Sequence, residues 1–406
     1  MPTTAVLAAE LDRLLDFGVR FPGPRGSAWL SEDGSPDPTR PTYTYITARM
    51  THVYCLGALL GRPGDRALAE AGLAALVDGP LRDREHGGWF ASIAASGEVD
   101  GHKECYTHAF VVLAASSAVA AGLPGASAFL EEALGTWLER FFVTADRMFL
   151  DSWDVAFSAP DPYRGVNANM HAVEALLAAA DATGDGALRE TALGISRRVA
   201  LDFAEPNAWR IPEHFDAAWR VQLEHHRSEP AHPFQPYGAT VGHGLEWSRL
   251  LLELEAALGP GAPGWLATSA VALFDRAVAD GWHADGEPGF VYTTDWSGTP
   301  VVRDRMYWVV GEGVAAAATL LQRTGDPRYT DLADLWWAWA EQYVLDRELG
   351  SWHHQLDASN LPTDTVWPGK PDLYHAVQAV LIPRLPLAPT AAQALRQGRL
   401  DHPSAP

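Results

Sequence analysis

The sequence predicts an all-α fold: an (α/α)6 barrel of twelve helices, with short β-hairpin loops at one end. Three observations predict it. Short glycine turns recur along the chain, apolar and amphipathic helices alternate around them, and polar residues stand at matched depth in the apolar helices.

The turns are Gly64-Asp65, Pro124-Gly125, Gly184-Asp185, Gly259 to Gly264 and Gly325-Asp326, roughly 60 to 75 residues apart. Before each lies a segment rich in Ala, Leu and Val on nearly every side: 43–60, 104–121, 167–183, 239–258 and 306–323. Helices apolar all round are buried helices. The segments after the turns, such as 127–142, 187–204 and 327–345, carry Glu, Arg and Asp on one face and read as outer helices. A helix near 3–18 and a last one near 370–385 bring the count to twelve. Six αα-hairpins with buried inner helices close into a barrel, whereas an open solenoid would need polar caps on its terminal repeats. Length alone would suggest two or three domains, but the repeat makes residues 1–406 a single one.

The longer connections, 87–90 (GGWF), 148–154 (MFLDSWD), 290–298 (FVYTTDWSG) and 350–357 (GSWHHQLD), alternate aromatic and polar residues and read as strands or hairpins. Each joins an outer helix to the next inner one, so all lie at the same end, where sites are built. Many of the 16 Trp fall in or near them and serve equally as sugar-stacking platforms or as core.

A net charge of −21 argues against a nucleic-acid partner and against an anionic membrane surface. Cys55 and Cys105 lie in apolar helical patterns, form no disulfide framework and read as small buried hydrophobes. The opening segment MPTTAVLAAELDRLLDF is an amphipathic helix with Glu10 and Asp12, not a signal peptide, and no apolar run is long enough to span a bilayer. The expected location is the cytoplasm, and the expected state is a monomer or homo-oligomer.

Near each inner-helix N-terminus stands a polar set. The second helix has Tyr45, Arg49 and His52; the fourth has Lys103, Tyr106 and His108; the sixth has Asn167 and His171. The eighth has His243 and Glu246, the tenth Trp308 and Glu312, and the last His375 behind Pro371 and Asp372. Spacings of three and four put each pair on one helical face. A lone histidine on a buried helix is usually a satisfied core residue, but six coincident sets predict the lining of one pocket. Helix N-termini aimed into it favour an anionic intermediate such as an enediolate, and histidine suits proton transfer near neutral pH.

Other motifs fail. GPGAPG at 259–264 follows a helix and contains two prolines, so it is no dinucleotide loop. His225-His226 and His353-His354 are adjacent pairs that point apart and read as loop residues rather than metal clamps.

The segments YITARMTHVY, KECYTHAFVVLAAS, NANMHAVEALLAA, GHGLEWSRLLLEL, YWVVGEGVAAA and WPGKPDLYHAVQA resemble the N-acylglucosamine 2-epimerase superfamily over residues 40 to 385. GKPDLYHA and YTHAF are most similar to its branch of bacterial mannose isomerases and their sulfoquinovose isomerase relatives; cellobiose 2-epimerases are more distant. The resemblance implies an (α/α)6 barrel with no cofactor; no metal is expected, because the polar sets hold no three-ligand cluster of short spacing. It implies two catalytic histidines, matching His243 and His375, and sugar contacts matching Arg49, Tyr106, Asn167, His171, Glu246, Trp308 and Glu312. His108 joins the expected sugar contacts from its place in the fourth helix.

The expected reaction is D-mannose to D-fructose through a cis-enediolate. His375 is the expected base at carbon, His243 held by Glu246 moves protons on oxygen, and Arg49 stabilises the oxyanion; the two histidines could exchange roles. The alternatives are a sugar 2-epimerase with nearly the same site, an (α/α)6 glycoside hydrolase using Glu246 and Glu312, and a sugar-binding protein without turnover.

Overall fold

The structure, a computed structural model, describes residues 1–401. Six inner helices run along the barrel wall: α2 (Thr44–Leu59), α4 (Cys105–Ala120), α6 (Val166–Thr183), α8 (Val241–Leu258), α10 (Tyr307–Thr324) and α12 (Tyr374–Leu381). Six outer helices alternate with them: α1 (Thr4–Gly18), α3 (Asp65–Val77), α5 (Ala126–Phe141), α7 (Ala187–Arg197), α9 (Trp265–Gly281) and α11 (Arg328–Tyr343). Each inner helix packs on the next, and α12 returns to α2, which closes the ring. Among the described residues no helix is long and apolar enough to cross a membrane.

The burial follows the composition. In α4 nearly every residue from Cys105 to Ala120 is buried, whereas α5 buries one stripe, Phe129, Leu130, Ala133, Trp137 and Phe141. The short turns need left-handed backbone at their helix C-caps, and Gly184 (φ 78°) and Gly325 (φ 70°) supply it.

Three expectations change at the margins. The last inner helix is shorter than 370–385: it begins at Tyr374 and passes into a 3₁₀ turn at Ile382–Arg384. The outer helix expected over 187–204 becomes a π-helical stretch at Arg198. A further short helix, α13 (Ala391–Arg396), packs under α2, α4 and α6 at the end opposite the long loops.

The loop end is built by one device used five times. A two-residue strand precedes each of α2, α4, α6, α8 and α10, and each pairs antiparallel with a strand in the loop after the following outer helix. The first N–H of each of these helices has no partner within its own helix. It donates instead to the carbonyl of Ala91, Asp151, Glu213, Tyr292 or His354. Buried cation–Asp pairs tie three of the loops down: Lys103 to Asp83 (2.7 Å), Arg305 to Asp285 (2.8 Å) and Lys370 to Asp346 (2.6 Å).

Candidate active site

The strands that start five of the six inner helices fix their first turns, α12 starts instead behind the Asp372 carboxylate, and the second residues of the six helices form the first layer at the loop end. Those residues are Tyr45, Tyr106, Asn167, Gly242, Trp308 and His375. One turn deeper come Arg49, Phe110, His171, Glu246, Glu312 and Ala379. Gly242 completes the first layer by its smallness: a Cβ there would stand 2.3 Å from the Trp308 ring. The indole occupies that space, and His243, the next residue, takes the pocket position on α8.

The structure brings most of the expected site together. Arg49, Tyr106, Asn167, His171, His243, Glu246, Trp308 and His375 line one pocket at the loop end, with Tyr45, Pro371 and Asp372. The two histidines flank an indole: Trp308 lies with its ring centroid 5.3 Å from that of His243 and 5.5 Å from that of His375. Each imidazole is fixed from behind by a carboxylate. His243 Nδ1 is 2.9 Å from Glu213 Oε1, and His375 Nδ1 is 2.8 Å from Glu312 Oε1. Donation from Nδ1–H to carboxylate leaves a lone pair on Nε2, the arrangement of a general base. Burial lowers the pKa of His375, and the Glu312 hydrogen bond opposes it. His171 is lowered to about 4 by burial, against the pull of Glu174, and is neutral near pH 7.

Arg49 supplies the positive charge. Its guanidinium donates to Asp372 Oδ2 (2.9 Å) and Tyr106 Oη (2.7 Å) and lies over the Phe110 ring. Asp372 also accepts from the Tyr374 N–H, so one carboxylate caps α12 and aims Arg49. Five lining residues carry buried polar atoms with no hydrogen-bond partner among the described residues: Arg49 Nε, Asn167 Oδ1, His171 Nδ1, both carboxyl oxygens of Glu246 and His354 Nε2. Such atoms are costly unless something polar fills the pocket.

Five expected placements are corrected. His243 is not held by Glu246: Glu246 lies one turn deeper toward the axis, while Nδ1 of His243 turns outward to Glu213 in the 204–216 loop. Glu312 is not a sugar contact: it lies behind His375, with Oε2 taken by Arg249 Nε at 3.0 Å. His108 is not in the pocket: Nδ1 bonds Glu104 O, Nε2 accepts the Trp89 N–H, and burial lowers its pKa to about 3. Lys103 and His52 also face elsewhere, Lys103 paired with Asp83 and His52 bonded to Ser117 at 2.7 Å. Cys55 and Cys105 are buried and unpaired, as their pattern implied.

Other residues of the site lie in the loops: Glu213 in a stretch without a signal in the sequence, Tyr292 and His354 in the aromatic–polar segments 290–298 and 350–357. Glu213, Tyr292 and His354 occupy the same repeated position, the carbonyl that receives a helix's first N–H. His354 stacks on Tyr307 with centroids 4.0 Å apart and lines the pocket, whereas its neighbour His353 does not. The loop before α8 lays Pro233, Phe234 and Pro236 over the pocket, with Phe234 edge-on to Trp367 at 5.1 Å. His225 and His226 anchor that loop, bonding the Gln235 side chain (3.0 Å) and carbonyl (2.8 Å).

Two buried groups have metal-ligand character and share Glu246: His171, Glu174, Glu246 and Glu246, Glu312, His375, each with donor atoms within 4.8 Å of one another. Arg249 already supplies a cation there. It bonds Glu312 and Glu253 and lies 3.6 Å from Glu246 Oε1. A metal ion would have to displace or compete with that guanidinium.

The sequence matches the N-acylglucosamine 2-epimerase (GlcNAc 2-epimerase) family over residues 26–379. It is 51% identical to the D-mannose isomerase of Thermobifida fusca over 394 residues, covering 96% of each chain. It is 45% identical to the D-mannose isomerase of Pseudomonas cannabina pv. alisalensis, covering 96% of this chain and 94% of that one. A crystal structure of D-mannose isomerase superposes with a TM-score of 0.87 at 26% identity, covering 93% of this chain and 97% of that one. The chain belongs to the N-acylglucosamine 2-epimerase family.

Proposed function

We propose that the chain is an aldose–ketose isomerase that interconverts D-mannose and D-fructose. The observation that carries the reading is the pair of carboxylate-backed imidazoles on either side of Trp308, over a pocket with an arginine and unsatisfied polar groups. The near-full-length likeness to proteins named D-mannose isomerase supports the substrate.

The sugar ring opens as His243 passes a proton from the O1 hydroxyl to O5. His375 Nε2 then removes the proton from C2, and the electrons flow to O1 to give a cis-enediolate. Arg49 and the inner-helix N-termini stabilise the negative charge. Transfer of the O2 proton to O1, with return of the C2-derived proton to C1 by His375, leaves O2 as the carbonyl oxygen and completes the ketose. Glu213 and Glu312 are positioning residues that fix the imidazole tautomers. Tyr106, Asn167, His171 and Trp308 hold the sugar. No step calls for a metal or organic cofactor. The enzyme acts in the cytoplasm, without a nucleic-acid partner, as a monomer or homo-oligomer.

The paired imidazoles would equally serve 2-epimerisation, in which one takes the C2 proton and the other returns it to the opposite face. Product analysis on D-mannose separates the two: fructose is expected, and glucose as the main product would overturn the isomerase reading. A glycoside hydrolase fits poorly, because Glu312 is spent on His375 and Arg249 instead of facing a glycosidic oxygen.

A further inference from the structure

Glu246 is 1% exposed, lines the pocket, and neither of its carboxyl oxygens has a hydrogen-bond partner among the described residues. Two nitrogens, Arg249 Nη2 of its own helix and His171 Nδ1 of α6, stand 3.6 and 3.8 Å from Oε1, beyond hydrogen-bond reach. Ionised, it would be an anion with no hydrogen-bond donor, facing Arg249 Nη2 across 3.6 Å, while the other nitrogens of that guanidinium are held by neighbouring carboxylates. Glu312 of α10 takes Arg249 Nε and the His375 imidazole of α12. Glu174 of α6 takes the Tyr374 hydroxyl and the Gln378 amide (2.7 Å). Glu253, one turn down α8, takes Arg249 Nη1 (3.1 Å). Three carboxyls, Glu246, Glu253 and Glu312, therefore share one guanidinium, with Glu174 beside them, while Arg49 of α2 is engaged by Asp372. Oxygens of Glu246 lie within 4.8 Å of those of Glu174 on one side and Glu312 on the other. Of the four, Glu246 is the one without a donor, so a proton costs least there. Its pKa is accordingly raised well above the usual carboxylate range by burial and by Glu312, against the pull of Arg249.

We propose that Glu246 is held as a neutral carboxylic acid and relays the proton between O2 and O1 of the enediolate. The inference rests on the isomerase reading. Once His375 has taken the C2 proton, O1 carries the negative charge. The Glu246 O–H bond breaks and an O1–H bond forms; at the same time O2–H breaks and its proton bonds to the other Glu246 oxygen. The charge now lies on O2, whose electron pair becomes the C2 carbonyl as C1 takes the proton from His375. The acid is regenerated with its proton on the second oxygen, and a half-turn of the carboxyl resets it. Both oxygens must be free for this exchange. An ionised carboxylate could accept the O2 proton but could not protonate O1.

Glu246→Gln in the full-length enzyme tests the relay. The amide keeps the shape, a donor and an acceptor, but has no proton to exchange. In D2O with D-mannose, deuterium should enter C2 of recovered mannose within about threefold of the wild-type rate, while fructose formation falls at least ~10²-fold, the scale of a positioned proton donor. Equal loss of both rates would place Glu246 in the carbon step and overturn the relay; so would retention of fructose formation. Infrared spectra of the ligand-free enzyme give a readout that does not need the variant to turn over. A protonated-carboxyl carbonyl band, shifted in D2O and present at neutral pH, is expected in the wild type and should vanish in the variant. Its absence from the wild type would overturn the proposal. If the wild type forms no fructose but shows the band, the isomerase reading fails while the neutral acid stands.

Discussion

Replacing Glu213 by Gln should cut turnover while leaving the fold nearly untouched, and the reason lies in which oxygens are used. Oε1 of Glu213 accepts from His243 Nδ1 at 2.9 Å, but Oε2 is buried without a partner. The amide carbonyl can keep the bond to Nδ1–H, and the new NH2 replaces an atom that bonded to nothing. What is lost is the negative charge behind the imidazole. A hydrogen bond to a charged group contributes about 1.5–3 kcal/mol, so kcat should fall about 10- to 150-fold with KM nearly constant. Glu312→Gln makes the same change behind His375 but breaks a second bond, because Oε2 accepts from Arg249 Nε at 3.0 Å. The single amide oxygen cannot serve both donors, and a buried guanidinium loses a partner. Breaking a buried pair costs about 3–5 kcal/mol. With an unfolding entropy near 0.85 kcal/mol per kelvin for 406 residues, Tm should drop about 4–6 °C. Steady-state kinetics on mannose and thermal melts of the two variants suffice. If Glu213→Gln melted as low as Glu312→Gln, or kept full kcat, the assignment of Glu213 as an orienting charge would fail.

His243→Ala and His375→Ala should each lower kcat by at least ~10²-fold with unchanged far-UV circular dichroism; a variant that keeps most of its activity marks a structural histidine. Dialysis against a chelator should leave activity intact, and a loss restored by Mn²⁺ or Zn²⁺ would refute the cofactor-free mechanism. Burial raises the Asp83 carboxyl, but the Lys103 ammonium and the N–H groups of His86 and Glu85 bring it down to about 2. The stability this adds is fully present above the unfolded carboxylate pKa of about 3.9 and is lost as the pH falls through about 2. Lys103→Met should therefore lower Tm at pH 5–7 and narrow its gap from the wild type on acidification, with kcat/KM for mannose unchanged. A fall in kcat/KM would put Lys103 back in the site.

The barrel was legible because its repeat is written twice, in glycine turns and in helices apolar on every side. The first two layers of the pocket were legible for the same reason: positions two and six of each inner helix follow from helical periodicity once the starts are known. The errors came where periodicity is a poor guide to partners. Glu246 is the helical neighbour of His243, yet a residue 30 positions away holds the imidazole. His108 sits two residues beyond Tyr106, a spacing that turns it away from the axis toward Trp89. The loop position that supplies Glu213 and His354 repeats at intervals between 60 and 79 residues and holds Ala, Asp, Glu, Tyr and His in turn, so neither spacing nor residue type betrays it. Only the strand pairing that places each loop against a helix start makes the five equivalent.

The placement of the carboxyls follows from the charge the reaction must carry. An enediolate is an anion, and inner-helix N-termini with Arg49 make the pocket favourable to it; a carboxylate facing it would cancel that effect. Glu213 and Glu312 avoid the conflict by lying behind imidazoles, where their charge reaches the substrate only through Nδ1. For His375 the arrangement balances two opposed effects: burial lowers its pKa and Glu312 raises it, which keeps a neutral imidazole basic enough to take a carbon-bound proton. Glu246 hydrogen-bonds no imidazole and does face the pocket. Placed there, it suits an anionic intermediate only without its charge, and burial together with the crowding of Glu312 and Glu174 favours the neutral form. The acidic floor and the cationic rim are therefore one device. Relieving the crowding by Glu174→Gln should let Glu246 ionise at lower pH, so the alkaline limb of kcat should move to lower pH while Glu246 itself is untouched. An alkaline limb that stayed in place would mean that the neighbouring carboxylates do not set the protonation of Glu246.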